Sequence, residues 1–180
     1  QIGFIGSIAE GETIWSARFV ADRGYLVTFE NVDPLWVIDL SDPTNPVILG
    51  ELEVPGVSTY IHPVNENTLL TIGIGPGEDG LGLDWSTTQI SLFDISDPTN
   101  PTLADSLPIS PVNVDENCED VGGCGWSWSW SEATYEHKAF TYWAPDDLLA
   151  VPLSTYRYFY DQNDGYLSLI HISEPTRPRE

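Results

Sequence analysis

Methionine is absent from the 180 residues, and only six are lysine or arginine. Against those six stand 28 aspartates and glutamates, for a formal net charge of −22. Binding nucleic acid or an anionic membrane needs basic patches that neutralise phosphate, which excludes both as partners for so acidic a chain. Long apolar runs are also missing, so no segment is fit to span a bilayer as a helix. No leader peptide is visible. With Gln1 in first place and no Met, the chain reads as an internal piece of a longer open reading frame. Cysteine is scarce: Cys118 and Cys124 lie together in CEDVGGC. Zinc would need a second Cys/His pair at suitable spacing, and none occurs. Two cysteines this close, with two glycines between, suit a short disulfide loop in an oxidising compartment; the alternative is two free thiols in a loop. Disorder is excluded by aromatics at 12%, seven of them tryptophan.

What the sequence does contain is a repeat. WVIDLSDPTNP at residues 36–46 returns as SLFDISDPTNP at residues 91–101. A second element, STYIH at residues 58–62, matches ATYEH at residues 133–137, and residues 15–20 hold that place in the first unit. A third is a short apolar run after a polar turn, at residues 25–27, 69–70 and 148–149. Each unit reads as four short strands. In the first they fall at about residues 14–20, 24–29, 35–40 and 47–54. Gly, Pro, Asn and Asp stop the strands by φ freedom, fixed φ and local side-chain hydrogen bonds. The second unit carries a Gly-rich insertion, residues 73–84, before its third strand. The third starts near Ser131 and reaches its second strand at residues 148–153. Residues 2–8 read as the last strand of a preceding unit. Four strands over about 40–55 residues is the size of a propeller blade, and stacked neighbours bury the faces that one blade cannot.

The repeats resemble a family of bacterial and archaeal secreted proteins known simply as β-propeller domain proteins. The matching stretches are IWSARF (residues 14–19), GYLVTF (24–29), DPLWVIDLSDP (33–43), GEL (50–52) and HKAF (137–140). The resemblance implies a propeller, export or envelope association, and no established chemistry. The expected fold is all-β: a β-propeller fragment of about two and a half four-stranded antiparallel blades in an open arc. Its parts are residues 2–8 from a preceding blade, blades at 13–55 and 56–108, a Cys/Trp insertion at 109–130 and a truncated blade at 131–166. The insertion is longer than the family's usual connection.

The tail departs from this pattern. LSLIHISEPTR at residues 167–177 resembles the translation of a transposase-type sequencing adapter, so residues 167–180 are set aside as a non-native tail. That removes Glu174, Arg177, Arg179 and Glu180, whose charges cancel, and His171.

Several groups of residues have two readings. Asp39, Asp42, Asp94 and Asp97 are repeated carboxylates. A catalytic reading would pair two as general acid and base. The turn reading is preferred, because one catalytic centre does not need the same residue in every blade. Asp42 and Asp97 can accept backbone N–H bonds, while Pro43 and Pro98 fix φ. His62 and His137 take equivalent places on first strands, where a shared metal is one reading and a structural histidine the preferred one. Trp126, Trp128 and Trp130 alternate with serines, so period two puts all three on one face of an extended segment. An exposed row would stack on sugar rings or dock a protein, and a buried row would cover the blade; burial is favoured. Glu78, Asp79, Asp84, Asp161, Asn163 and Asp164 lie in acidic glycine loops and are weak calcium candidates. The second loop is one residue short of EF-hand spacing and lacks the distal Glu. GIGPGEDG lacks the Lys and the helix of a phosphate loop. No nucleophile–base set stands out.

The function expected is therefore a non-enzymatic extracellular or cell-envelope propeller that binds or scaffolds a protein or carbohydrate. One alternative is a propeller-type hydrolase or lyase on polysaccharide with its site mostly outside these residues. Another is a calcium-stabilised adhesion module; calcium is the one cofactor candidate.

Overall fold

The computed structural model describes residues 2–6, 8–29, 33–77, 79–109, 126–161 and 165–173. The chain divides into two compact units, residues 1–85 with 89–107 and residues 86–88 with 108–180. The described residues are strands and turns, with three 3₁₀ turns and no α-helix.

The first unit contains two four-stranded meanders. In one, β1 (Thr13–Val20), β2 (Arg23–Phe29), β3 (Asp33–Asp39) and β4 (Val47–Val54) lie side by side in chain order. In the other, β5 (Val57–Asn65), β6 (Thr68–Pro76), β7 (Leu83–Asp94) and β8 (Thr102–Ile109) do the same. The connections are tight where the sequence supplies turn residues. Gly56, with φ at +90°, reverses the chain between β4 and β5, a backbone region that side-chain-bearing residues rarely adopt. The Gly-rich insertion is shorter than expected. β6 runs on to Pro76 and β7 begins at Leu83, because Ile72 and Ile74 continue the alternation through Gly73.

Period-two alternation places the core. Across β2 and β3, Tyr25 stands opposite Val37 and Val27 opposite Leu35. Those four join Val54, Val57, Ile61, Leu69, Phe93 and Ile95 in one cluster built from both sheets. Phe93, Leu35, Ile61, Leu69 and Val37 are at most 1% exposed. Burial of such a side chain contributes about 1.5–3 kcal/mol, so this cluster is the main cohesion between the sheets.

The sheets also meet through backbone. Ser16 Oγ donates to the Ser58 carbonyl at 2.7 Å. Gly50, on β4, lies under the turn between β7 and β8: a Cβ there would stand 2.7 Å from the Pro98 oxygen and 2.8 Å from that of Thr99. Gly3 takes the same place under the turn between β3 and β4, where a Cβ would stand 2.1 Å from the Pro43 oxygen. Only glycine allows this approach. Residues 2–6 and 8 are not in a strand, contrary to expectation, since they hydrogen-bond into no sheet. Gly3 nonetheless sits where a last-strand glycine sits.

The second unit departs further from the four-strand expectation. β9 (Trp126–Trp130) pairs with β12 (Leu153–Asp161), and β12 with β13 (Gly165–Ser173), in the order β13-β12-β9. β10 (Thr141–Trp143) and β11 (Leu148–Ala150) form a separate hairpin. The expected strand at residues 133–137 is instead two 3₁₀ turns, Glu132–Thr134 and His137–Ala139. Ser131 Oγ accepts from Ala133 N at 3.2 Å and Glu136 Oε1 from Lys138 N at 3.0 Å. Such side-chain capture of backbone N–H groups competes with strand pairing. The expected strand at residues 148–153 is broken as well. β11 stops before Pro152, which has no N–H to give, and β12 starts after it. β13 takes in residues 167–173 of the tail.

Candidate functional site

Antiparallel meanders return the β1–β2 and β3–β4 turns to one end of the first sheet, and the β5–β6 and β7–β8 turns to one end of the second. The repeated aspartates sit in these turns. Asp39 accepts from Ser41 N and Asp94 from Ser96 N, both at 2.9 Å. Asp42 accepts from Thr44 N at 2.9 Å and Thr44 Oγ1 at 2.6 Å. Asp97 accepts from Thr99 N at 3.0 Å and Thr99 Oγ1 at 2.6 Å. The turns close with Asn45 N to Asp42 O and Asn100 N to Asp97 O, each at 3.0 Å. These bonds hold all four carboxyls below the usual aspartate range. For Asp39 and Asp94 the Ser41 and Ser96 N–H groups lead; for Asp42 and Asp97 the Thr44 and Thr99 hydroxyls do. A carboxylate tied this way stays ionised at neutral pH and is a poor proton donor.

Beside these turns lies a cavity of 570 Å³ within the first unit. Asp22 and Arg23 reach it from the β1–β2 turn, Asn65, Glu66 and Asn67 from the β5–β6 turn, and Ser96 and Pro98 from the β7–β8 turn. Tyr25, Pro63 and Ile95 add apolar wall. Its frame is backbone: Leu40 N donates to Asp22 O and Ile95 N to Asn67 O, both at 2.8 Å. Asn65 Oδ1 accepts from Asn67 N at 2.8 Å and holds its turn. Burial pushes the Tyr25 phenol up, with Arg23 pulling it partly back. Arg23 Nη1 is buried with no hydrogen-bond acceptor. About 300–1,000 Å³ is the usual range for small-molecule pockets.

The other residues singled out from sequence fall elsewhere. His62 lies on β5, half-buried, its pKa lowered by burial and by the Arg18 charge. His137 opens a 3₁₀ turn in the second unit and not a first strand, for the capping reason given above. Trp128 and Trp130 are half-buried on β9. Trp128 lies against Tyr156 with centroids 5.4 Å apart, and Trp130 stacks on Tyr135 at 5.6 Å. Trp128 Nε1 is buried without a partner. The Trp126 backbone pairs with Tyr158; its side chain lies outside the described residues, as do Cys118, Cys124, Glu78, Asn163, Asp164 and the Asp161 side chain. Asp79 is exposed and Asp84 half-buried at the start of β7. Among the described residues, no three His, Cys, Asp or Glu side chains group to hold a metal ion. No helix there is long and apolar enough to cross a membrane.

None of the cavity residues stands out in the sequence as a binding residue. The available signal was Arg23, one of only four basic residues before residue 167, set in a turn between two strands.

A family model described as a beta propeller domain matches residues 1–174. An uncharacterised protein of Methanocaldococcus jannaschii is 45% identical over 109 residues, 61% of this chain and 16% of that protein. An uncharacterised protein of Archaeoglobus fulgidus is 44% identical over 100 residues, 56% of this chain and 15% of that protein. The chain thus matches about a sixth of the length of these relatives. No solved structure matches it.

Proposed function

We propose, since the chain belongs to the beta propeller domain family, that it is a non-catalytic binding or scaffold module of an extracellular or cell-envelope protein. One observation carries the reading. The carboxylates that recur in each blade make the same turn hydrogen bonds in both four-stranded sheets, with matching distances within 0.1 Å. They are committed to structure, and general acid–base chemistry would need at least one of them free to trade a proton. The strongly acidic composition suits an exported protein that stays soluble in salt. What remains for recognition is the turn end of the blades, where non-repeating side chains converge on a cavity.

Turnover is the discriminating measurement. The purified chain, incubated with neutral and acidic polysaccharides, is expected to release no new reducing ends and no unsaturated products. Release of either that scales with enzyme concentration would replace this reading with a hydrolase or lyase.

A further inference from the structure

We propose that the cavity between the first two blades is a subsite for a neutral sugar, a hexose unit presented singly or within a glycan. This rests on the binding-module reading and narrows it to one ligand class. The charges that line the cavity decide against charged ligands. An anion would meet the exposed Asp22 and Glu66 carboxylates in a chain of net charge −22. A cation would meet the Arg23 guanidinium, which the cavity wall also contains. A neutral ligand with many hydroxyls suits both, because each hydroxyl donates to a carboxylate or accepts from a guanidinium.

The remaining lining fits the same chemistry. Asn65 and Asn67 offer amides and Ser96 a hydroxyl, while Val20, Pro63 and Pro98, none of them buried, offer surface for the apolar C–H face of a pyranose. The volume of 570 Å³ holds one or two hexose units. Arg23 supplies an independent observation. Its Nη1 is buried without an acceptor, a state that buried donors rarely tolerate. Rotation of the guanidinium toward the cavity would give that N–H a ligand hydroxyl. The subsite is assembled from three turns of two blades, so neither blade makes it alone.

Saturation-transfer NMR on the full chain, with methyl hexosides as probes, tests the assignment. Methyl glucuronide and methyl glucosaminide serve as the anionic and cationic counterparts. The neutral hexosides are expected to bind with Kd on the order of 1 mM, as suits so small a ligand, and at least fivefold tighter than either charged probe. Glu66→Ala, an exposed turn substitution, is expected to weaken them about tenfold with Tm unchanged. Arg23→Gln tests the donor from the opposite side of the charge balance and is expected to narrow the gap to the cationic probe. No binding of any neutral hexoside, or binding that Glu66→Ala leaves intact, would overturn the sugar subsite while leaving the binding-module reading standing. Cleavage of the hexosides would instead overturn the module reading.

Discussion

Each aspartate of the repeated turn spends its charge on its own backbone. Asp42 and Asp97 accept from the N–H and the hydroxyl of a threonine two residues on, and these bonds lower their pKa in the folded state. The linkage has a definite sign. A folded-state pKa below the unfolded value gives stabilisation that is complete above the unfolded pKa, about 3.9, and fades as pH falls through the folded one. Asparagine mimics the protonated carboxyl. The Asp42→Asn/Asp97→Asn double variant is therefore expected to melt below the wild type at pH 7. The gap should close as pH drops below about 4. Self-repulsion among the other acids moves both curves together, so the difference isolates the turns. A gap that persists unchanged to pH 2.5 would contradict this account. These roles were legible from sequence, because Asp followed by Pro-Thr-Asn-Pro names its own hydrogen-bond partners within a few residues.

At the scale of strands, legibility followed how local the determining contacts are. The strands of the first sheet match expectation to within about two residues, since Asp, Pro, Gly and Asn mark every stop. Residues 133–137 read as a strand because their Ala-Thr-Tyr-Glu-His matches the second blade's Ser-Thr-Tyr-Ile-His in Thr, Tyr and His. The side chains of Ser131 and Glu136, flanking or within that stretch, cap two short turns instead. The cavity was not legible at all. Its walls come from turns near residues 22, 66 and 97, and only the packing of two sheets brings them together. That packing depends on residues such as Phe93, 1% exposed in the cluster the sheets share. Phe93→Ala is expected to cost about 3–5 kcal/mol in urea unfolding. A cost under about 1 kcal/mol would mean that the sheets are not held by this core.

For the molecule as a whole, the repeat is also a joint. Gly50 lies under the Pro98–Thr99 backbone of the next blade, and Gly3 lies under Pro43 of the first. A glycine meets the same Asp-Pro turn twice, Gly50 from β4 and Gly3 from outside any strand, so the motif that shapes a blade also sets its distance from the blade before it. The matched relatives are about four times as long as this chain, and a joint of this kind would seat each further blade in the same way. The binding-module reading depends on it, because the cavity exists only while two blades keep their spacing. Thermal melting of Gly50→Ala beside Glu51→Ala, an exposed neighbour on the same strand, tests this most directly. The added methyl is expected to cost about 1–3 kcal/mol, at roughly 2–4 °C per kcal/mol for a chain of this size, with Glu51→Ala melting as wild type. A Gly50→Ala protein that melts within about 1 °C of wild type, short of the roughly 2–4 °C that even 1 kcal/mol would give, would contradict the joint.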